Sequence, residues 1–277
     1  MVIIHKVINW IMKTGFRTKD ADVIAFIKAT GITGGTEFSA INYLVLDLKN
    51  KGLWTKINTL YPFVGGTATT HKYNLKDPRD LDAAFRITFA GGVTHNSDGV
   101  TFDGINGFGN THLIPSNKFA LNSECLFAYS RTSAAAGIST TVDMGCAVSI
   151  VVRDQLQIRT SANYMVTSIN STSSGGNIST TNTDGQGFYT SSRTSSTDLR
   201  HFKNGSQLGS TNVTANNGAR SNIKLYIGAR NLSNAGNAFV NRNFALMGTS
   251  SGLTSTEVST LYTIVQQYQT ILNRQVW

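Results

Sequence analysis

The chain has 277 residues, of which 40% are hydrophobic and only 14% charged, against roughly 25% charged in an average globular protein. Lys and Arg outnumber Asp and Glu by 24 to 15, giving a formal net charge of +9. The basic residues are scattered and form no run with aromatics, so the excess reads as a shortage of acids and speaks against a specific nucleic-acid partner, while suiting attraction to anionic cell-surface polymers equally well.

Ser, Thr, Asn and Gly make up the polar remainder, which is the composition of turn-rich β-structure. The apolar start, Met1 to Trp10, is too short and interrupted to span a membrane and lacks a small-residue cleavage site. The expectation is a soluble chain made in the cytosol, without membrane insertion. Cys125 and Cys146 lie in apolar, strand-like surroundings and are expected to be buried free thiols. Zinc would need further ligands at close spacing, and none stand there.

Residues 1–62 read as a helical segment. Asp20 or Thr18 can cap a short helix carrying Val23, Ile24, Phe26 and Ile27, with Gly31 at its end. A second helix is expected from about Thr36 to Lys51, since Phe38, Ile41, Leu44, Val45 and Leu48 repeat on one helical face. A helical turn is expected from Trp54 to Tyr61, ended by Pro62. Residues 63–98 have connector chemistry, with a possible helical turn at Asp80–Phe85 and a strand starting at Arg86–Phe89.

From Gly99 the pattern changes to short strands separated by turns, over residues 99–277. Strands are expected at Val100–Phe102, Leu126–Arg131, Ala147–Arg153, Leu156–Thr160, Phe188–Thr190, Leu199–Lys203, Leu225–Ile227 and Phe244–Met247. Asp154-Gln155 is read as a tight turn and residues 170–187 as a long surface loop. Asn204-Gly205 is the strongest hairpin signal, because both residues tolerate the positive φ of a type I′ turn. Thr254-Ser-Thr-Glu257 is a capping box with Leu253 and Val258 as a hydrophobic staple. Val258, Leu261, Val265, Tyr268 and Leu272 then repeat along the helix. This stripe packs on the chain's own body or forms a seam between subunits; its few heptads do not decide. The fold class that follows is mainly β, a two-sheet antiparallel jelly-roll sandwich with a small N-terminal helical segment and a C-terminal helix.

Two resemblances add to this reading. Gly99-Val-Thr-Phe-Asp-Gly-Ile-Asn-Gly-Phe-Gly-Asn-Thr111, His201-Phe-Lys-Asn-Gly-Ser-Gln-Leu208, Leu225-Tyr-Ile-Gly-Ala-Arg230 and Phe244 to Val258 resemble segments of laminin-G/concanavalin-A-like domains. Asp22 to Ile27, Ala40 to Val45, Gly52 to Lys56, Leu60 to Gly66 and His71 to Asp77 resemble segments of bacteriophage virion proteins, often tail-associated ones. The resemblance implies a structural component of a particle, tail- or fibre-associated, in contact with other virion proteins, with copies of itself and with host surface glycans, and located in the virion. Head decoration is the nearest alternative, and a polysaccharide depolymerase the one from another class.

The residues give little catalytic signal. Glycoside hydrolysis needs two nearby carboxyl groups, and Glu124 has no acid two residues away. Glu257 belongs to the helix cap, and Asp80 and Asp82 lie in the connector. No Gly-x-Ser-x-Gly elbow, histidine cluster or phosphate loop is present. The sequence reading is therefore a chain with no catalytic residues and no cofactor. Calcium is kept as an option through Asp98 and Asp103, on the laminin-G resemblance. Candidate sugar-contacting residues are Tyr164, Asn182, Tyr189 and Arg193, which lie in or beside polar loops; Tyr164 and Tyr189 are equally readable as core residues.

Overall fold

A computed structural model describes residues 20–134, 141–149, 152–171, 176–216 and 218–276. In chain order the strands are β1 (Ile57–Tyr61), β2 (Thr88–Ala90), β3 (Val93–Asn96), β4 (Gly99–Asp103), β5 (Phe108–Asn110), β6 (Glu124–Ser130), β7 (Met144–Ala147), β8 (Arg153–Gln157) and β9 (Tyr164–Ser171). They continue with β10 (Asn177–Thr181), β11 (Gly187–Ser195), β12 (Asp198–Lys203), β13 (Ser206–Asn212), β14 (Tyr226–Ile227), β15 (Arg230–Leu232), β16 (Ala235–Asn237) and β17 (Asn241–Ser250). The helices are α1 (Ala21–Thr30), α2 (Gly35–Asn50), α3 (Ala68–His71), α4 (Pro115–Lys118) and α5 (Ser255–Ile271).

Two stacked sheets form the sandwich anticipated from the strand pattern. The first has the order β13-β12-β11-β6-β17-β4-β3, with β1 also on β17; the second has the order β10-β9-β8-β7-β14-β5-β2, with the β15–β16 hairpin attached through β7. Apart from the β15–β7 pairing, which is parallel, these ladders are antiparallel. One core lies between the sheets and includes Phe102, Leu126, Met144, Leu156, Ile169 and Phe244. A second lies over the outer face of the first sheet, where Val23, Leu44, Phe127, Phe188, Leu261 and Val265 share one cluster.

Local signals explain the helices. The Asp20 side chain accepts from the Asp22 amide at 2.9 Å, and Gly31 ends α1 at φ 69°. The Glu257 amide donates to Thr254 Oγ1 at 3.3 Å, while Glu257 reaches back to the Thr254 amide at 2.9 Å, so the capping box forms as the sequence indicates. Asn204 and Gly205 take φ 50° and 77° and join β12 to β13 in the expected tight hairpin. Both cysteines are buried and unbridged.

Four expectations are corrected. The segment expected as a helical turn at 54–61 supplies strand β1, because Thr59 and its neighbours pair with the end of β17 and the Thr59 hydroxyl meets that of Thr249 at 2.9 Å. The connector at 63–98 contains β2 and β3, one in each sheet, so the sandwich draws strands from before residue 99. Asp154 and Gln155 lie inside β8, opposite Cys146 and Gly145, and so do not form a turn. The polar stretch at 170–187 contains the end of β9, all of β10 and the first residue of β11. In each case pairing across the sheet outweighs local turn chemistry. The segment Met1–Trp10 lies outside the described residues.

Helices α1 and α2 are part of the same core as α5 and the first sheet, not a separate docking piece. The α5 stripe is likewise consumed within the chain: Val258, Leu261, Val265 and Tyr268 are buried, and Leu272 packs half-buried against them. The subunit seam expected of this stripe is filled by the protein's own helices and sheet.

Candidate functional site

The two sheets differ in what lies outside them. Helices cover the first. Neither apolar core extends to the outer face of the second, and its register shows which residues that face carries. Met144, Cys146 and Leu156 point into the core, so their neighbours Gly145, Ala147, Arg153, Gln155 and Gln157 fall on the opposite face by strand alternation. Pairing then lines up one row across six strands: Asn110, Tyr226, Gly145, Gln155, Ser168 and Asn177.

The aromatic end of this row is built by Phe108 and Tyr226, whose rings stack at 4.7 Å and 18°, with Phe239 at 6.4 Å from Phe108. These three rings belong to neither core. Gly145 provides the floor beside them. A Cβ there would lie 2.7 Å from Gln155 Cβ and 2.8 Å from Val142, so the position has no room for a side chain. Arg230, paired in register with Gly145, reaches across it, and its Nη1 donates to Gln155 Oε1 at 3.4 Å while Nε donates to Asn237. Arg153 Nη2 donates to Asn177 Oδ1, which also accepts from Ser168 and Ser171. A stacked aromatic pair beside guanidinium, amide and hydroxyl groups is chemistry suited to sugar rings, which offer apolar C–H faces and hydroxyl edges.

Of the sequence candidates, Tyr164 shares this outer face with Ser168, because Met165 between them on β9 points into the core, and the other three fall elsewhere. Tyr164 is 43% exposed at the start of β9. Tyr189 is buried in the inter-sheet core with its hydroxyl on the Asp184 carbonyl. Asn182 is buried and donates to the Ile158 carbonyl at 2.7 Å. Arg193 is buried, with Nε on the Ile169 carbonyl and Nη1 on the Ser195 and Ser196 carbonyls. These three brace the interior, so the rim expected of them is corrected. This cluster was not anticipated because Tyr226 was read as a strand residue without its cross-strand neighbours, Arg230 was read only for its family likeness, and Gln155 was taken for a turn residue. The signal was the alternation of Arg153, Gln155 and Gln157 with Asp154 and Leu156.

The interior holds a second feature. Glu124, on β6 of the first sheet, meets Asp154, on β8 of the second, and both are fully buried. Asn170 Nδ2 donates to Glu124 Oε2 at 3.0 Å and to Asp154 Oδ1 at 3.3 Å. Asp154 also accepts the amides of Asn170 at 2.6 Å and Ser221 at 2.8 Å. Burial, then the neighbouring Asp154, pushes the Glu124 carboxyl well above its usual range, and burial raises Asp154 as well. Sequence spacing could not reveal this acid partner, since it stands 30 positions away on the opposite sheet.

The remaining candidates have structural partners. Asp98 pairs with Arg131 at 2.7 Å, and Asp103 Oδ1 accepts the amides of Ile105, Asn106 and Gly107. Among the described residues no three His, Cys, Asp or Glu gather as a metal-binding group. His201 bridges Thr180 and Thr167 inside the sandwich, and burial pushes its pKa down to about 3. His71 accepts from the Gly66 amide on Nε2, so its Nδ1 carries the hydrogen facing His95 Nδ1 at 3.1 Å; burial, then His95, pushes its pKa down to about 3.

The fold places the chain among two-sheet β-sandwich proteins. No family model and no curated protein matches the sequence. Among solved structures, Trypanosoma rangeli sialidase in complex with 2,3-difluoro-KDN superposes at TM-score 0.52 and 12% identity, over 81% of this chain and 39% of that one. A mutant of the same sialidase displaying trans-sialidase activity gives 0.53 and 12%, over 82% and 39%. The chain thus spans about two fifths of the length of these enzymes, and the likeness is one of fold. It corrects the expectation of a chain without enzymatic function. The sandwich occurs within solved sialidases, and the missing acid partner of Glu124, on which catalysis was dismissed, is present as Asp154.

Proposed function

We propose that this chain is a tail- or fibre-associated component of a phage particle in which the outer face of the second sheet contacts host-surface glycans. The observation that carries the glycan contact is the asymmetry of the sandwich. One outer face is sealed beneath the chain's own helices; the other carries stacked Phe108 and Tyr226 beside Arg153, Arg230 and Gln155, with Phe108 and the two arginines half-buried and Tyr226 and Gln155 buried. The particle assignment rests on the resemblance of the segments between Asp22 and Asp77.

Two measurements test the reading. A tagged copy seen on tails or fibres by electron microscopy supports the assignment, and absence from purified particles overturns it. Host-surface polysaccharide should bind the isolated protein and bind Tyr226→Ala at least about tenfold more weakly, as for loss of a central aromatic anchor. Full binding by a folded Tyr226→Ala protein overturns the glycan face. Polymer length followed in the same incubation reports any cleavage.

A further inference from the structure

The outer face of the second sheet carries two half-buried arginines, Arg153 and Arg230, that pair with no acid among the described residues. All 15 Asp and Glu residues lie among the described residues. Several basic side chains elsewhere meet one of them, as Lys49 meets Asp20 and Asp22, Arg86 meets Asp80 and Asp82, Lys203 meets Asp184, and Arg200 meets Asp198, while Lys28, Lys118, Arg159 and Arg220, among others, form no ion pair with a described acid. Among the described residues Arg153 and Arg230 have no such partner. Their contacts are the neutral amides Asn177, Asn237 and Gln155, and Arg153 Nε is buried with no hydrogen-bond partner. They also feel each other: burial, then the charge of Arg153, lowers the pKa of Arg230.

Two half-buried guanidinium groups that repel each other and lack an internal acid form a site that gains from an incoming anion. The shape of that anion follows from the surroundings. Guanidinium offers a planar fork that matches a carboxylate. The stacked rings lie in the same row as Gly145, over which Arg230 passes, so a ligand held by the arginines lies against an aromatic surface. The row from Tyr226 to Asn177 crosses five strands, about 19 Å at the usual strand spacing, which accommodates an oligosaccharide rather than a small ion.

We propose that the second sheet's outer face selects acidic, carboxylate-bearing glycans, with Arg153 and Arg230 holding the carboxylate and Phe108, backed by Tyr226, packing against a sugar ring. This inference rests on the glycan reading given above and narrows it to a class of ligand. It also gives the scarcity of acids a local use, because the two arginines are left free for the ligand.

The test measures binding of the full chain to polygalacturonate, hyaluronate and polysialate, to the same three polymers after chemical reduction of their carboxyl groups, and to neutral dextran and arabinan. The expected result is binding to at least one acidic polymer that falls at least about tenfold on carboxyl reduction. It should fall as far in Arg230→Gln and Arg153→Gln at unchanged melting temperature, and Arg230→Lys should restore only part of it, since lysine keeps charge without the fork. The exposed Lys51→Gln serves as the control for net charge. Equal loss in that control would reduce the effect to general polyelectrolyte attraction and overturn the proposal. Equal binding of native and reduced polymers would overturn the selection for acid and leave the glycan reading intact. Binding to none of the eight polymers would overturn both.

Discussion

Strand β6 has a buried carboxyl system at each of its ends, and the two are built on opposite principles. At the Ser130 end, Arg242 Nε donates to Asp143 Oδ1 at 2.8 Å, and its other nitrogens donate to Ser130 Oγ and to the carbonyls of Thr132, Ala134 and Gly185. At the Glu124 end, about 20 Å away along the strand, two acids face each other with only Asn170 and backbone amides between them. Opposite charges satisfy one end. At the other, burial and the neighbouring acid favour the protonated form of Glu124. Both ends tie the first sheet to the second, so the sandwich is clamped twice, once through an ion pair, where Arg242 counters the upward push of burial on Asp143, and once through two acids that have no such counter-charge.

The largest effect that would sharpen this contrast is expected at the compensated end. Arg242→Met leaves Asp143 buried without its partner and should cost about 3–5 kcal/mol, read as a large drop in melting temperature at pH 7. A loss no greater than that of an ordinary surface substitution would break the comparison. Next is Asn170→Ala, which removes the donor shared by Glu124 and Asp154 and should cost about 1–3 kcal/mol in urea unfolding.

The third expectation concerns sign. Glu124 and Asp154 have raised folded values, so the folded state binds more protons than the unfolded state once pH exceeds the ordinary carboxylate range. Stability is then fully present in acid and is lost as pH rises from about 4 toward the folded values, by up to about 1.4 kcal/mol per pH unit for each proton held. Glu124→Gln should flatten that slope between pH 4 and pH 8 and raise the melting temperature at the alkaline side. An unchanged slope would show that the pair does not share a proton. Smallest is Ser130→Ala, which removes one of the Arg242 contacts and should cost about 0.5–1.5 kcal/mol by the same melts.

Legibility in the sequence followed the range of the interaction. Features decided within a few residues were readable: the Asp20 and Thr254 caps, the Asn204-Gly205 hairpin, the α5 stripe and the buried thiols. Features decided across the sheets were not. Thr59 is a strand residue because β17 lies beside it. Asp154 meets Glu124 only through sandwich closure, and Arg193 looked like a rim residue until its place opposite Glu124 in the β6–β11 ladder was known. The outer-face row joins residues from 110 to 226 whose adjacency no spacing rule encodes. The sequence therefore led to the right fold, while three of its four sugar-contact candidates, Asn182, Tyr189 and Arg193, are buried in the structure.

The position of β17 constrains how the molecule can be made. One of its edges pairs with β6 and the other with both β4 and β1, so the middle of the sheet is contributed by residues 241–250. Until that stretch leaves the ribosome, three earlier strands wait with bare hydrogen-bonding edges in a nascent chain, a condition that favours slow folding and invites wrong pairings. A ribosome-bound chain stalled before residue 241 should accordingly remain protease-sensitive, and chaperones that shield strand edges should raise the yield of the full-length protein more than slower heating or cooling does.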